Sequence, residues 1–323
     1  MKKILVTGAA GYIGSVLVRQ LLKNNYFVRG ADILFFGGES LLDIYNNPNF
    51  EFIKGDICQE GFVDQILDGV TDVIHLAAIV GDPACAKQPE LAKQINLEAS
   101  KLLFNKCNEN GIKKFIFAST CSNYGKMEGN DFLNENSPLN PVSLYAELKV
   151  KFEKYILESP INDSFSPTAL RFSTVYGLSP RMRFDLTVNE FIRDVTLNNH
   201  LEIFGEQFWR PYCHVEDLAR SCIMVLEAPI QKVKKNVFNV GATDQNYQKK
   251  MIAEEILKII PGANIKYIHK SEDPRDYRVD FSKIKKMLGY SITKEVPDGL
   301  QEIFKVLKDG IISNPYLPKY KNI

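Results

Sequence analysis

Through the first 177 residues, short runs of apolar and β-branched residues alternate with longer stretches whose apolar positions recur every three to four residues. The short runs are KKILVTG (2–8), YFVRGADI (26–33), FEFIKGDI (50–57), DVIHLAAI (72–79), KKFIFAST (113–120) and PTALRFSTVYG (167–177). Their hydrophobicity is continuous rather than alternating, as expected of strands buried on both faces of a parallel sheet. Between them, SVLVRQLLKNN and ELAKQINLEASKLLFNKCNENG have helical spacing, and the second ends in Asn-Gly, a C-cap signal. This rhythm predicts an α/β fold built on a doubly wound parallel sheet.

Beyond about residue 178 the rhythm changes. Short strand patterns (LEIFGE, NVFNVGA, NIKYIH) mix with helical ones (VEDLARSCIMVLEAP, KKMIAEEILKII, LQEIFKVLKDG). No repeat, low-complexity tract or linker intervenes. The expectation is a first domain over residues 1–177 and a smaller α/β C-terminal lobe over 178–323, packed directly on it with some elements interleaved. The LPKYKNI tail is expected to be loose.

Composition narrows the function only by exclusion. Forty Lys and Arg nearly balance 39 Asp and Glu, so no net charge draws the chain to nucleic acid or a membrane surface. No apolar stretch reaches transmembrane length. The N-terminal MKKILVTGAAGYIGS breaks at Gly8, too early for a signal-peptide core, which points to a cytoplasmic protein. The six cysteines form no C-x-x-C pair and have no histidine at ligand spacing. They read as buried thiols, and no metal is expected.

The chemistry begins at VTGAAGYIGS. Gly8, Gly11 and Gly14 follow the first strand and open the first helix, where glycines permit a tight turn, close approach of backbone N–H groups to a pyrophosphate, and close helix–strand packing. The helix N-terminus adds partial positive charge for phosphates. Asp32 lies 18 residues beyond Gly14, at the end of the second strand. A carboxylate there accepts from adenosine ribose hydroxyls and repels a 2′-phosphate, and no Arg follows it in ADILFFGG, so NAD is expected over NADP. Further along, SLYAELKVKFEKY places Tyr145 and Lys149 at i, i+4 on one helix face. A lysine ammonium near a phenol favours phenolate, so such a tyrosine can take a proton from a sugar hydroxyl.

Taken together, these features resemble the extended short-chain dehydrogenase/reductase family, in its NAD-dependent nucleotide-sugar epimerase/dehydratase branch. The resemblance covers nearly the whole chain and is carried by TGAAGYIGS, GDI (55–57), HLAA (75–78), STCSNYG (119–125), YAELK (145–149), RFSTVYG (171–177), RPYCHVEDLA (210–219) and EDPRDYRVDFSKIKKMLGY (272–290). It implies a Rossmann-like NAD domain in which Tyr12 and Ile13 join the glycines. Asp56 and Ile57 would border the adenine; Leu76, Ala77 and Ala78 would line the phosphate–ribose side; Asn96 would sit behind the site. Lys149 would hold the nicotinamide ribose, Tyr145 would be the acid/base, and Thr120 would hydrogen-bond the reacting sugar hydroxyl. Ser122, Asn123 and Thr174 would line the sugar. Asn189, Arg210 and Arg275 would bind the diphosphate of a nucleotide-diphosphate sugar. A homodimer is expected by the same analogy.

The turn Thr120-Cys121-Ser122-Asn123 bears on the reaction. In the family's 4,6-dehydratases the threonine is followed by Asp and Glu, which remove water; Cys121 and Ser122 are poor replacements for an acid and a base. The reading is therefore redox chemistry at sugar C4: a UDP-glucose/galactose 4-epimerase-like enzyme, or alternatively a 4-dehydrogenase producing a 4-keto hexose or heptose for surface polysaccharides. A 4,6-dehydratase and a non-catalytic NAD-binding scaffold are the remaining readings.

Overall fold

The apolar runs form strands, and the order of those strands explains their hydrophobicity. The computed structural model describes residues 2–127, 129, 131–270 and 275–322, so the first residues of the 272–290 motif lie outside the described part. The strands are β1 (Lys3–Thr7), β2 (Phe27–Asp32), β3 (Phe50–Lys54), β4 (Asp72–His75), β5 (Lys114–Thr120), β6 (Ser166–Phe172), β7 (Thr174–Tyr176), β8 (His200–Phe204), β9 (Trp209–His214), β10 (Asn236–Val240), β11 (Asn246–Gln248) and β12 (Asn264–Ile268). Among the described residues, seven of these form one sheet in the order β10-β6-β5-β4-β1-β2-β3, every neighbouring pair parallel. Val6 in β1 lies opposite Gly30 of β2 and Ile74 of β4. The winding direction reverses between β1 and β4, and the carboxyl ends of those strands open there into a crevice.

Both faces of the sheet are covered. Val6, Ile74, Ile116 and Leu170 pack on one side with Leu17, Leu21, Leu218 and Cys222. Leu5, Val73, Phe115 and Phe117 pack on the other with Val63, Ile66, Leu103, Phe104 and Phe152. Each such fully buried side chain contributes about 1.5–3 kcal/mol. Among the described residues no helix is long and apolar enough to cross a membrane.

Two expectations need adjustment. The run 167–177 is two strands: β6 stays in the main sheet, while β7 pairs with β9 in a second sheet ordered β11-β9-β7. Ser173 makes the transfer, its N–H and Oγ both donating to the Val240 carbonyl, at 3.2 and 2.7 Å. The interleaving expected of the two parts involves β10, which pairs with β6, and the Val215–Glu227 helix, whose Leu218 and Cys222 pack with the main sheet. Lys114 Nζ in β5 closes that helix by donating to the carbonyls of Val225, Leu226 and Ala228. Finally, the tail is docked rather than loose: Phe184 N–H donates to the Tyr320 carbonyl at 2.9 Å, their rings meet edge to face at 5.7 Å, and Asn322 N–H donates to Asp185 at 3.0 Å.

Candidate active site

The glycine loop is shaped by contacts that only glycine allows. Gly8 has φ +75°, and a Cβ on it would lie 2.8 Å from the Ala77 amide nitrogen. A Cβ on Gly14 would run into the Gly8 carbonyl oxygen. The loop after β1 is thereby pressed against Leu76–Ala78 after β4, at the reversal point of the sheet, and Gly11 caps the Tyr12–Lys23 helix. Asp32 Oδ2 accepts from Ala10 N–H at 3.0 Å and Oδ1 from Leu34 N–H at 2.8 Å. Burial raises its carboxyl above the usual range, opposed by those amides and the charge of Arg181. Gly55 N–H donates to the Asp32 carbonyl, bringing half-buried Asp56 and buried Ile57 to the same end. Ile13 packs against the core. The loop, helix start, carboxylate and flanking strand ends fit a dinucleotide.

Next to this crevice, β5 ends at Thr120, whose Oγ1 accepts from Ser122 N–H at 3.1 Å and caps the short turn Cys121–Tyr124. The Leu144–Glu158 helix runs alongside, capped by Ser143, whose Oγ accepts from Ala146 N–H and donates to Asp82 Oδ1 at 2.6 Å. Lys149 ties this helix to β5: its Nζ donates to the Ala118 carbonyl at 2.8 Å and lies 4.6 Å over the Phe117 ring and 5.8 Å over the Tyr145 ring. Burial pushes the Lys149 ammonium down to about 7. Tyr145 packs against Ile79, Cys85 and Leu148. Its phenol is raised by burial, then by Cys85 and Asp82, and drawn down by Arg183. The expected lowering by Lys149 is not among the largest influences on this phenol, which burial leads.

The Gln94–Ala99 segment is a π-helical turn joining Pro89–Lys93 to Ser100–Glu109. Asn96 there clamps the loop after β4, accepting from Ile79 N–H at 2.8 Å and donating to its carbonyl at 2.9 Å. Ser100 lies 2.9 Å from His75 Nε2, whose Nδ1 is 2.7 Å from Thr7 Oγ1. Burial, then the charge of Lys149, pushes His75 down to about 3, so it is a neutral strut beneath the site.

From the second lobe, Tyr277 OH reaches Ser122 Oγ at 3.5 Å, and Arg210 lies 5.3 Å over the Tyr277 ring. Arg275 donates to Asp82 Oδ2 at 2.9 Å. Thr174 is half-buried at the start of β7. The fold therefore brings Thr120, Ser122, Tyr145, Lys149, Arg210 and Arg275 to one region.

Three sequence-expected ligand contacts are turned inward instead. Asn123 is fully buried and donates to Ser119 Oγ and Glu153. Asn189 is also fully buried, accepting from Gly177 N–H and donating to Tyr12 OH and the Arg183 carbonyl. The Tyr12 phenol donates to the Gly177 carbonyl, leaving its backbone alone to face phosphates. Small polar side chains next to a crevice also serve as braces, and sequence does not distinguish the two uses. Cys121 is buried against Tyr124, Tyr277 and Phe281, its thiol raised by burial and donating to the Arg171 carbonyl at 3.2 Å. Asp82, Cys85, Arg183 and Tyr277 were missed. The Gly-Asp-Pro start of the Asp82–Lys87 helix is visible in sequence, but its pairing with Arg275, 193 positions away, is not.

Residues 4–241 match the model of the NAD dependent epimerase/dehydratase family. The chain is 30% identical over 316 residues to a UDP-glucose 4-epimerase of Lactobacillus helveticus, covering 92% of this chain and 94% of that one. It is 27% identical over 309 residues to a dTDP-glucose 4,6-dehydratase of Streptomyces griseus, covering 92% and 91%. Among solved structures, a UDP-glucuronic acid 4-epimerase from Bacillus cereus, in complex with UDP-glucuronic acid and NAD, superimposes with a TM-score of 0.84 at 30% identity, covering 95% of this chain and 99% of that one.

Proposed function

Because the chain belongs to the NAD dependent epimerase/dehydratase family, whose members are NAD-dependent enzymes acting on nucleotide sugars, we propose that it is a nucleotide-sugar 4-epimerase, taking a UDP-hexose in the cytoplasm as a homodimer. The observation that carries this reading is the turn after β5. Thr120 and Ser122 offer hydroxyls, that of Ser122 3.5 Å from Tyr277 OH, while Cys121 is buried with a raised thiol. The turn therefore has a hydrogen-bonding group for a C4 hydroxyl and no carboxylic acid and carboxylate for dehydration.

Gly8, Gly11, Gly14, Asp32 and the Leu76–Ala78 loop would hold the adenosine and phosphate parts of NAD, and Lys149 its nicotinamide ribose. When bound, NAD supplies a reversible acceptor for a hydride from a sugar carbon. In its ionised form Tyr145 takes the proton of the C4 hydroxyl on its phenolate oxygen and gives it back to the C4 oxygen at the end. Arg183 already draws that phenol toward the ionised form, against burial. Thr120 Oγ1 orients the C4 oxygen. Arg210 and Arg275 are placed to offer several donors to a diphosphate, with Asp82 holding Arg275 until an anion arrives.

The test is the mass of the sugar recovered after incubation with UDP-, dTDP-, GDP- and CDP-sugars. An unchanged mass with altered chromatographic mobility supports the epimerase. Loss of two hydrogens replaces it with a 4-dehydrogenase, and loss of water would overturn the reading of the turn.

A further inference from the structure

The segment SPRMRFD, which leads into the second lobe, brings a cation to the adenosine end of the dinucleotide crevice. Ser179 anchors it: Oγ donates to the Tyr12 carbonyl at 2.7 Å and lies 3.2 Å from Ser15 Oγ. Both partners belong to the first turn of the helix whose N-terminus faces the phosphates. Two residues on, the Arg181 guanidinium lies 4.1 Å over the ring of Phe36, in the loop that follows Asp32. Ser40 fixes that loop to the glycine turn by donating to the Ala10 carbonyl at 2.8 Å. Asp32 and Arg181 are close enough for each charge to shift the other's ionisation.

Arg181 is only 7% exposed. Its Nη2 donates to the Lys321 carbonyl at 3.2 Å, while its buried Nε–H has no acceptor among the described residues. A buried guanidinium donor without an acceptor is costly, and a dinucleotide's ribose and phosphate oxygens are the acceptors this crevice is built to receive. We infer that Arg181 is a cofactor-binding residue supplied by the second lobe, donating its Nε–H to an oxygen of the ADP half of the dinucleotide. Asp32 accepts from the ribose on one side, Arg181 donates from the other, and Phe36 holds the guanidinium plane. Sequence reading seeks an arginine within ADILFFGG; the fold supplies one from far along the chain. The docked tail takes part, because Lys321 holds Arg181 and Asn322 holds Asp185. This inference rests on the family's cofactor and not on the sugar reaction proposed above.

Isothermal titration of the nucleotide-free full chain with NAD, ADP-ribose and nicotinamide mononucleotide separates the two halves. Arg181→Met is expected to weaken NAD and ADP-ribose by about 10–100-fold, the range of a lost charge-assisted hydrogen bond, with nicotinamide mononucleotide unchanged. Arg181→Lys, which keeps the charge without the planar fork, is expected to fall between. In the unaltered protein, ADP-ribose should slow hydrogen–deuterium exchange in peptides spanning 178–185, and nicotinamide mononucleotide should not. NAD affinity in Arg181→Met within about threefold of the unaltered chain would overturn the inference, as would equal losses for both halves. Absence of ADP-ribose-dependent protection overturns it whether or not the variants fold.

Discussion

Replacing Glu153 with glutamine removes one charge from a pair that sits directly behind the turn after β5. Glu153 and Arg171 are 1% and 4% exposed. Arg171 Nη2 lies 2.5 Å from Glu153 Oε1, and its Nε lies 3.2 Å from both carboxylate oxygens. The same carboxylate accepts from Ser119 Oγ at 2.7 Å and Asn123 Nδ2 at 3.4 Å, while Arg171 donates to Tyr124 OH at 2.8 Å. Glutamine keeps the volume but leaves a buried cation without an anion, a change that costs about 3–5 kcal/mol. With an unfolding entropy of about 2.1 cal/mol/K per residue, this chain has roughly 0.7 kcal/mol/K in all, so the melting temperature should fall by about 4–7 °C. Replacing both charges, Glu153→Leu with Arg171→Met, should recover much of that loss, since an apolar substitute for a buried pair is often neutral. Calorimetry of the unaltered chain, of Glu153→Leu and Arg171→Met singly and of the two combined closes the cycle, with Glu153→Gln measured beside it. A Glu153→Gln melting temperature within about 1 °C of the unaltered chain, or a double variant less stable than either single, refutes the reasoning.

Other consequences follow from the same contacts. Tyr145→Phe should lower turnover by about 10²–10⁴-fold, the range for a lost acid/base, with NAD affinity retained by titration; unchanged turnover removes Tyr145 from the mechanism. Lys149 is pushed down to about 7 when folded and keeps its ordinary higher value when unfolded. Between those values the unfolded chain holds the extra proton, so stability should rise with pH above 7 by up to about 1.4 kcal/mol per unit. Urea melts from pH 7 to 9.5 should show this slope reduced in Lys149→Met; identical slopes contradict it. Gly14→Ala places a methyl against the Gly8 carbonyl and should abolish measurable NAD binding in titration; wild-type affinity would mean the loop relaxes freely.

Much of the first domain is legible because it depends on local patterns. Continuous apolar runs mark strands buried on both faces, and Gly8, Gly11, Gly14 and Asp32 recur at a spacing set by one strand, one turn and one helix. The observed strands of the first domain overlap the expected runs: β6 begins one residue early, at Ser166, and others are shortened at their carboxyl ends, as in 72–79, which stays a strand only to His75. What escapes is anything decided at long range. β10 reads as an ordinary strand of the second lobe, but joins β6 with Phe238 opposite Leu170. Asn123 and Asn189 read as sugar or phosphate contacts, and their burial follows from partners brought by other elements: Glu153 for one, Tyr12 and Gly177 for the other. Arg181 and Asp82 stay silent in sequence because their partners lie in the opposite lobe. The docked tail fails for the same reason, since a polar end reads as loose until Phe184, Arg181 and Asp185 are placed beneath it.

The turn after β5 ties these scales together. Its first residue ends a strand and caps a short helical turn, so Thr120 stays at the mouth of the crevice while the chain behind it bends toward the core. Position 121 then lies among Tyr124, Tyr277, Val279 and Phe281, beside the Arg171 carbonyl and within the influence of Glu135. An acid at that position would meet apolar side chains, whose desolvation is the largest influence and opposes ionisation, with the Arg171 charge and Ser173 acting against it and Glu135 with it. At 122, the neighbouring hydroxyl is already matched to Tyr277. At 121 the absence of a dehydratase acid therefore agrees with burial, which is the leading influence there. Inward-facing Asn123 and Tyr124 then lock the turn onto the Glu153–Arg171 pair. The turn that carries Thr120 and the Glu153–Arg171 pair belong to one hydrogen-bonded unit, which is why a charge change at the pair is expected to be felt at Thr120.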